Sequence, residues 1–544
     1  MLARGISSFA SLALAGVTGL VYAQNFEATD FSITQALLEH GVNILAFPQL
    51  AALVDHCSAS SCNIACDSLR EIYDSDTIST QDETSYADFT ASYWSANQGK
   101  LQPQCIFYPS TPSQVSVLVL LSRLTQCPFA AKSGGHAAFA GASSIHGGIT
   151  VSFQRLDSIQ LSADHKTVAI QPGNTWSAIY TELARYDLAV IGGRSAPIGI
   201  GGLTTGGGIS FFSSIYGLAC DNVASYDVVT ASGRIITVTP TQHPDLFWAL
   251  RGGGNNFGLV VNFTLETISL PGSELWGGSR MSTEETFPAV IDAFASLVTD
   301  SPSDPKAGTW ISWIAYEGSN IAVTELWYAE PNGNDAAIFD KFNKIVAISD
   351  DTQNRTLADY TRKVDGDNIN GRREMYYSLT TKASLEVAEA AKEIFFEEIK
   401  PVLGLAGAFP AMVWQAFTIG ELKEMTRNGG NPLGLSAKDG PLYIILIACW
   451  WDYEEDDAAI YQMISTVLAR IKAKAASLGL QNDYVYMNYA SLFQDVISSY
   501  GPDNKARLKD VASKYDPTRV FQELQPGYFK LDGPPVSDSG YFSF

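Results

Sequence analysis

The chain has 544 residues, above the size at which one hydrophobic core usually stops growing, so two lobes are expected. With 35 Lys+Arg against 57 Asp+Glu it carries a formal net charge of −22 and no basic run, which excludes a nucleic-acid partner over most of its surface. Its 46% hydrophobic content suits a globular protein, and 45 glycines point to many tight turns or close backbone approaches.

The first element in chain order is an export signal. Arg4 supplies positive charge, an apolar stretch runs from Ile6 to Leu20, and Val21 and Ala23 put small residues ahead of a cut before Gln24. The apolar stretch is shorter than the roughly 20 residues a membrane span needs. A secreted, soluble monomer with no membrane partner is therefore expected once residues 1–23 are removed. Asn262 and Asn354 open glycosylation sequons, which matter only on an exported chain.

Five of the seven cysteines come early, at Cys57, Cys62, Cys66, Cys105 and Cys127, while Cys220 and Cys449 stand alone. In an oxidising compartment the segment 57–66 is expected to pair with Cys105 or Cys127, the connectivity being open and the odd count leaving a free thiol. Cys62-x3-Cys66 has no later pair at zinc-ligand spacing, and the chain has six histidines and no HExxH, so no metal is expected.

A helix is predicted over Gln35–Leu53. From 101 to 272 short β-branched strands alternate with glycine clusters and two helices, Ser113–Thr125 and Thr175–Tyr186; Val223–Thr230 and Arg234–Val238 read as paired strands. From 273 to 480 the pattern changes. Thr309–Tyr316 and Ile321–Tyr328 form a hairpin around Glu317-Gly-Ser-Asn, and Leu442–Trp451 is an apolar strand flanked by helices at Leu385–Ile399 and Asp457–Lys474. The last helix repeats apolar residues at 460, 463, 464, 467, 468 and 471, the face of a helix lying on a sheet. These elements predict an α+β fold.

Three glycine-rich loops carry the chemistry. The first is Ser133-Gly134-Gly135-His136, followed by Gly141-Ala142-Ser143; the second, 192–208, holds eight glycines in 17 positions; the third is Arg251–Gly258. None matches a dinucleotide or P-loop fingerprint: Thr204 and Phe257 occupy the place of the third glycine, and no GK[ST] follows. Glycines nevertheless let backbone N–H groups close on an anion such as a pyrophosphate. Three such loops within 125 residues, one ending in a lone histidine, point to a cofactor.

Here the chain resembles the FAD-linked oxidases of the vanillyl-alcohol oxidase / p-cresol methylhydroxylase superfamily, in their fungal berberine-bridge-enzyme-like branch. The likeness rests on Pro109–Val115, Lys132–His136, Gln171–Trp176, Gly199–Gly208, Gly217–Asn222, Asp245–Gly254, Tyr486–Tyr489 and Tyr515–Phe521, in order and spacing. It implies a two-lobed fold, with 24–272 and 481–544 holding FAD and 273–480 forming an antiparallel sheet over the substrate. It implies FAD tethered covalently through His136, against Ser133, Gly134, Gly135, Gly141, Ala142 and Ser143. From the second loop it implies Pro197, Gly199, Gly201, Gly202, Thr205, Gly206, Gly208 and Ile209, and beyond it Asn222, Val261 and Asn488.

The chain departs from the family pattern where many relatives have a second, cysteinyl attachment: Ser195 stands there, so a single tether is expected. Tyr489 matches the tyrosine that takes the substrate proton in sugar-oxidising relatives, with Tyr486 as its neighbour. Phe417 falls where an assisting Asp is expected and Ile444 where alkaloid-oxidising relatives have a glutamate, leaving Tyr489 without an evident partner. Ile198 lies where relatives tune oxygen access. The expected function is oxidation of an alcohol, such as a sugar or phenolic, with O2 or another electron acceptor. Its rivals are a secondary-metabolism oxidase or oxidative cyclase, and a flavin-binding protein with little turnover.

Overall fold

The computed structural model describes residues 26–53, 61–366 and 368–536. The expected export signal and Cys57 lie outside the described residues.

Three sheets organise these residues. The first contains β1 (Ile78–Ser79), β2 (Cys105–Phe107), β3 (Phe129–Lys132) and β4 (Ile149–Ser152), with β4 parallel to both β2 and β3. A parallel pair needs a crossover, and the helix Pro112–Thr125 supplies it between β2 and β3. Its start is written locally: Pro112 sits at the first helical position and Thr111 and Gln114 close a capping box. Val115, Val117, Leu118, Val119, Leu120 and Leu121 are all fully buried, each worth about 1.5–3 kcal/mol over exposure.

The second sheet holds β5 (Ile159–Leu161), β6 (Thr167–Ile170), β7 (Leu188–Val190), β8 (Val223–Val229), β9 (Ile235–Val238) and β10 (Leu259–Ser269). Its order is β5-β6-β10-β8-β9, with β7 paired to the far end of β10. The third sheet begins at residue 274, contains nine strands and is antiparallel throughout. Its strands are β11 (Glu274–Thr283), β12 (Ala307–Tyr316), β13 (Ser319–Tyr328), β14 (Ser349–Asp350), β15 (Gln353–Thr356), β16 (Arg373–Lys382), β17 (Phe409–Phe417), β18 (Leu442–Trp451) and β19 (Gln481–Asn482). The α+β expectation holds.

On one face of this sheet lie the helices Leu385–Glu398 and Asp457–Ser477. Ile460, Met463, Ile464, Val467, Leu468 and Ile471, the face expected from periodicity, are all buried in the core beneath. The β12–β13 hairpin is tighter than expected. Glu317 (φ 49°) and Gly318 (φ 80°) alone make the turn, the left-handed pair that matches strand twist, so β13 begins at Ser319.

The single helix predicted over Gln35–Leu53 is a correction. The structure has a helix at Ile33–Glu39 capped by Ser32, a 3-10 turn at Ile44–Ala46 capped by Asn43, and a short helix at Pro48–Ala51. Gly41 at φ 82° reverses the chain after His40, and Pro48 has no N–H to continue a helical ladder. Local capping wins over the apolar pattern.

The cysteines pair as Cys62–Cys127 and Cys66–Cys105, as expected, pinning the helix Cys62–Ile72 to the parallel sheet. Cys220 and Cys449 are buried and free. Opening a bridge that closes 39 residues should cost about 2–4 kcal/mol. The double substitution Cys66→Ser/Cys105→Ser is therefore expected to lower the urea midpoint in non-reducing buffer; an unchanged midpoint would show that the bridge does not hold the N-terminal helices.

Candidate functional site

A cavity of about 350 Å³ opens between the glycine loops and the third sheet. Its floor is backbone. Ser133 Oγ donates to the carbonyl of Pro172 (2.5 Å) and accepts from the Gly201 N–H (3.1 Å), tying the first loop, the 171–176 turn and the second loop together. The first two loops then touch without side chains between them: a Cβ on Gly134 would sit 2.3 Å from the Gly199 nitrogen. Not every glycine faces the cavity. Gly192 and Gly193 make room for the indole of Trp176, which a Cβ on either would overlap at 1.9 and 2.4 Å.

Fourteen of the sequence-identified site residues lie on the cavity wall: His136, Ser133, Gly134, Gly135, Ala142, Ser143, Gly199, Gly201, Gly202, Thr205, Ile209, Asn488, Tyr486 and Tyr489. Six stand behind it. Gly208 donates its N–H to Tyr486 Oη, Gly206 packs against the Asn488 amide, and the Asn222 amide donates to the carbonyls of Tyr216 and Leu218. Val261 belongs to the core under β10, and Pro197 and Gly141 shape the loops. In the third loop Gly254 and Asn255 reach the wall, but Arg251 does not: it pairs with Asp221 (2.8 Å), both fully buried, and donates to the carbonyls of Cys220, Arg427 and Gly430.

His136 lies flat on Trp94, ring centroids 4.1 Å apart and planes 6° from parallel. Burial pushes its pKa down to about 4, so the imidazole is neutral at pH 7 and one ring nitrogen offers a lone pair. Trp94 meets Tyr376 edge-on at 5.4 Å, and Tyr376 meets Tyr489 at 6.4 Å, an aromatic run along the wall.

Tyr489 has partners that sequence reasoning missed. Its Oη accepts from Arg194 Nη2 (2.9 Å) and from Gln415 Nε2 (2.9 Å), while a second donation from Arg194 Nη2 to Gln415 Oε1 (2.6 Å) closes the triangle. This corrects the view of Tyr489 as unassisted: the partner comes from Gln415 on β17, two residues before Phe417, whose ring instead meets Tyr484 and Tyr486. Alternation along the strand points Gln415 and Phe417 the same way, so period-two patterning alone could not choose between them. Tyr486 is otherwise engaged. Its Oη accepts from the N–H groups of Gly208 (3.2 Å) and Ile209 (3.0 Å) and from the Asn488 amide (3.2 Å), which pins the end of the second loop.

Ser195 donates to Asp365 Oδ1 at 3.2 Å and lies on the wall, as does Ile198. Gln525 is also there, buried, with Oε1 lacking any partner. Lys530 donates to Asn255 Oδ1 (2.9 Å) and to the Phe521 carbonyl (2.9 Å); burial pushes its pKa down to about 7.

These residues fit a flavin dinucleotide. The glycine floor offers backbone to a diphosphate, Gln525 offers a free acceptor, and a Cβ on Gly202 would meet nothing within 4 Å, so this position faces open cavity.

Comparisons with known proteins agree. A family profile described as FAD binding domain matches residues 103–239. The FAD-dependent monooxygenase tpcD of Cochliobolus heterostrophus is 34% identical over 453 residues, covering 81% of this chain and 87% of that protein. The bifunctional solanapyrone synthase of Alternaria solani is 29% identical, covering 86% and 89%. Among solved structures, xylooligosaccharide oxidase from Myceliophthora thermophila superposes with a TM-score of 0.68 at 21% identity, covering 87% of this chain and all of that one, 100%. A variant of berberine bridge enzyme gives 0.68 at 17%, covering 84% and 97%.

One outcome tests the site and a second tests a buried acid on the third sheet. Gly202→Leu fills open cavity without touching the core, so it should yield folded protein whose flavin-to-protein absorbance ratio falls several-fold; full flavin content would remove Gly202 from the cofactor floor. Glu374 on β16 is 2% exposed with neither carboxyl oxygen hydrogen-bonded, and burial raises its pKa to about 10. A raised carboxyl pKa contributes stability below the unfolded value of 4.5 and loses it as pH climbs toward about 10. Between roughly pH 5 and pH 9 the wild-type Tm should therefore fall more than that of Glu374→Gln; parallel Tm curves would contradict the burial of an acid there.

Proposed function

Because the chain belongs to the berberine-bridge-enzyme-like family of FAD-dependent oxidoreductases, we propose that it is a secreted enzyme of secondary metabolism, carrying FAD on His136 alone and oxidising a small organic alcohol, enol or phenol. FAD, when bound, supplies a two-electron acceptor. The chain supplies everything else: a backbone floor, an imidazole to anchor the ring, and a group to manage the substrate proton.

That last group carries the proposal. Two donors converge on Tyr489 Oη from the cavity wall, one of them a cation. In its phenolate form this oxygen is met by Arg194 and Gln415 already in place, and the proton it takes from the substrate O–H returns it to the neutral phenol with neither donor having to move. Tyr489 is the residue assigned to accept the substrate O–H proton, and Arg194 and Gln415 position it.

The secondary-metabolism reading is preferred to sugar oxidation for a structural reason. The third-sheet part of the wall presents Trp310, Val413, Leu446 and Tyr376, and Trp310 is covered by the Arg194 guanidinium at 4.8 Å rather than left as a stacking platform for a sugar. The names of the relatives, a synthase among them, point the same way. A single tether follows from Ser195, whose hydroxyl cannot form a thioether. Of the two sequons, Asn354 is exposed on β15 and Asn262 is half-buried in β10 with its amide on Asp227, which favours Asn354 for a glycan.

The test begins with acid denaturation. Wild-type polypeptide should stay yellow after precipitation, and His136→Ala should release its flavin to the supernatant; free flavin from the wild type would defeat the tether. Tyr489→Phe should keep its flavin and lose about 100-fold or more in kcat with little change in KM. Retained kcat would move the proton-accepting role elsewhere.

A further inference from the structure

The polar and apolar groups around the cavity divide unevenly. The chain as a whole is strongly acidic, with 57 Asp+Glu, yet the wall contains no Asp, Glu or Lys; Arg194 is its one ionised side chain among the described residues. Arg194 is 9% exposed, and no carboxylate among the described residues comes within ion-pair distance of it. The titratable carboxyl nearest in electrostatic effect is Glu421, buried on the helix Ile419–Glu424 with Oε1 unpartnered. Burial, only partly offset by Arg194, raises its pKa to about 8, so at mildly acidic pH it is neutral and leaves the guanidinium uncompensated.

The guanidinium is also only half used. Nη2 makes both of its hydrogen bonds, to Gln415 and Tyr489, while Nε and Nη1 meet no acceptor among the described residues. One face of the group rests on Trp310 at 4.8 Å, with Trp327 at 5.9 Å, which fixes its plane. A buried cation held by an aromatic face, with free N–H donors in a cavity, is a receptor for a planar anion.

We propose that the substrate carries a carboxylate, separate from its reacting O–H, that is received by Arg194, with its apolar body lying along Trp310, Val413, Leu446 and Tyr376. This rests on reading the cavity as the flavin and substrate site. The pairing also explains why one residue serves two ends. The cation that steadies Tyr489 Oη holds the substrate carboxylate beside it, so proton acceptor and substrate are placed by a single group.

The experiment uses the holoprotein at pH 6.5 and two isosteric probes, benzoate and benzamide, with binding read from perturbation of the flavin absorbance and from tryptophan fluorescence. Benzoate is expected to bind at least tenfold more tightly than benzamide. That preference should vanish in Arg194→Met and persist in part in Arg194→Lys. Gln415→Glu, which neutralises the guanidinium in place, should remove it as well and stands as the second variant if Arg194→Met does not fold. Equal affinities in the wild type, or a preference that survives both Arg194→Met and Gln415→Glu, would overturn the proposal. Protein that is colourless and refuses FAD would overturn the reading of the cavity itself, a result distinct from yellow protein that ignores the charge of its ligand.

Discussion

The approach of two backbone loops governs the rest of the structure. Gly134 and Gly199 lie so close that a Cβ on either would stand 2.2–2.3 Å from the other's nitrogen. No side chain can be inserted there without driving apart the first loop, which ends in His136, and the second loop, which carries Ser195 and Ile198. This part of the cavity floor is thus backbone by necessity.

Three buried groups stand in unusual protonation states, His136 on the cavity wall and Glu374 and Glu421 away from it. His136 is neutral because burial disfavours its cation, with Trp94 lying against one face. Glu374 and Glu421 are protonated well above the ordinary carboxylate range for the mirror-image reason. Desolvation is the largest cause in all three. Arg194 differs because a guanidinium does not lose its proton at accessible pH, so it remains the charge around which Tyr489 and Gln415 are organised. The third sheet contributes by position rather than by reactivity: β12, β16, β17 and β18 bring Trp310, Tyr376, Gln415 and Leu446 to the same cavity.

Much of this was legible in the residues. Clustered glycines ahead of a lone histidine marked the cofactor floor because close backbone approach has one cheap solution in sequence. The buried face of Asp457–Ser477 was legible because a 3.6-residue period survives any tertiary context. The helix expected over 35–53 was misjudged because Gly41, Asn43 and Pro48 act through local dihedrals and caps that an apolar count does not weigh. Tyr489 was singled out with Tyr486 as its neighbour, and the structure separates their roles: the Tyr486 hydroxyl is held by the N–H groups of Gly208 and Ile209, that of Tyr489 by Arg194 and Gln415.

By itself the sequence determined the fold class, through helical and strand periodicity, and, through its resemblance to a flavoenzyme family, the FAD cofactor. Only the tertiary structure decided who assists Tyr489. Arg194, Gln415 and Tyr489 are separated by 221 and 74 residues, and they meet because the second glycine loop, strand β17 of the third sheet and a segment following that sheet converge on one point. Hydrogen bonds reach about 3 Å and carry no trace along the chain, so such a meeting is written in the packing of whole sheets and in no stretch of sequence.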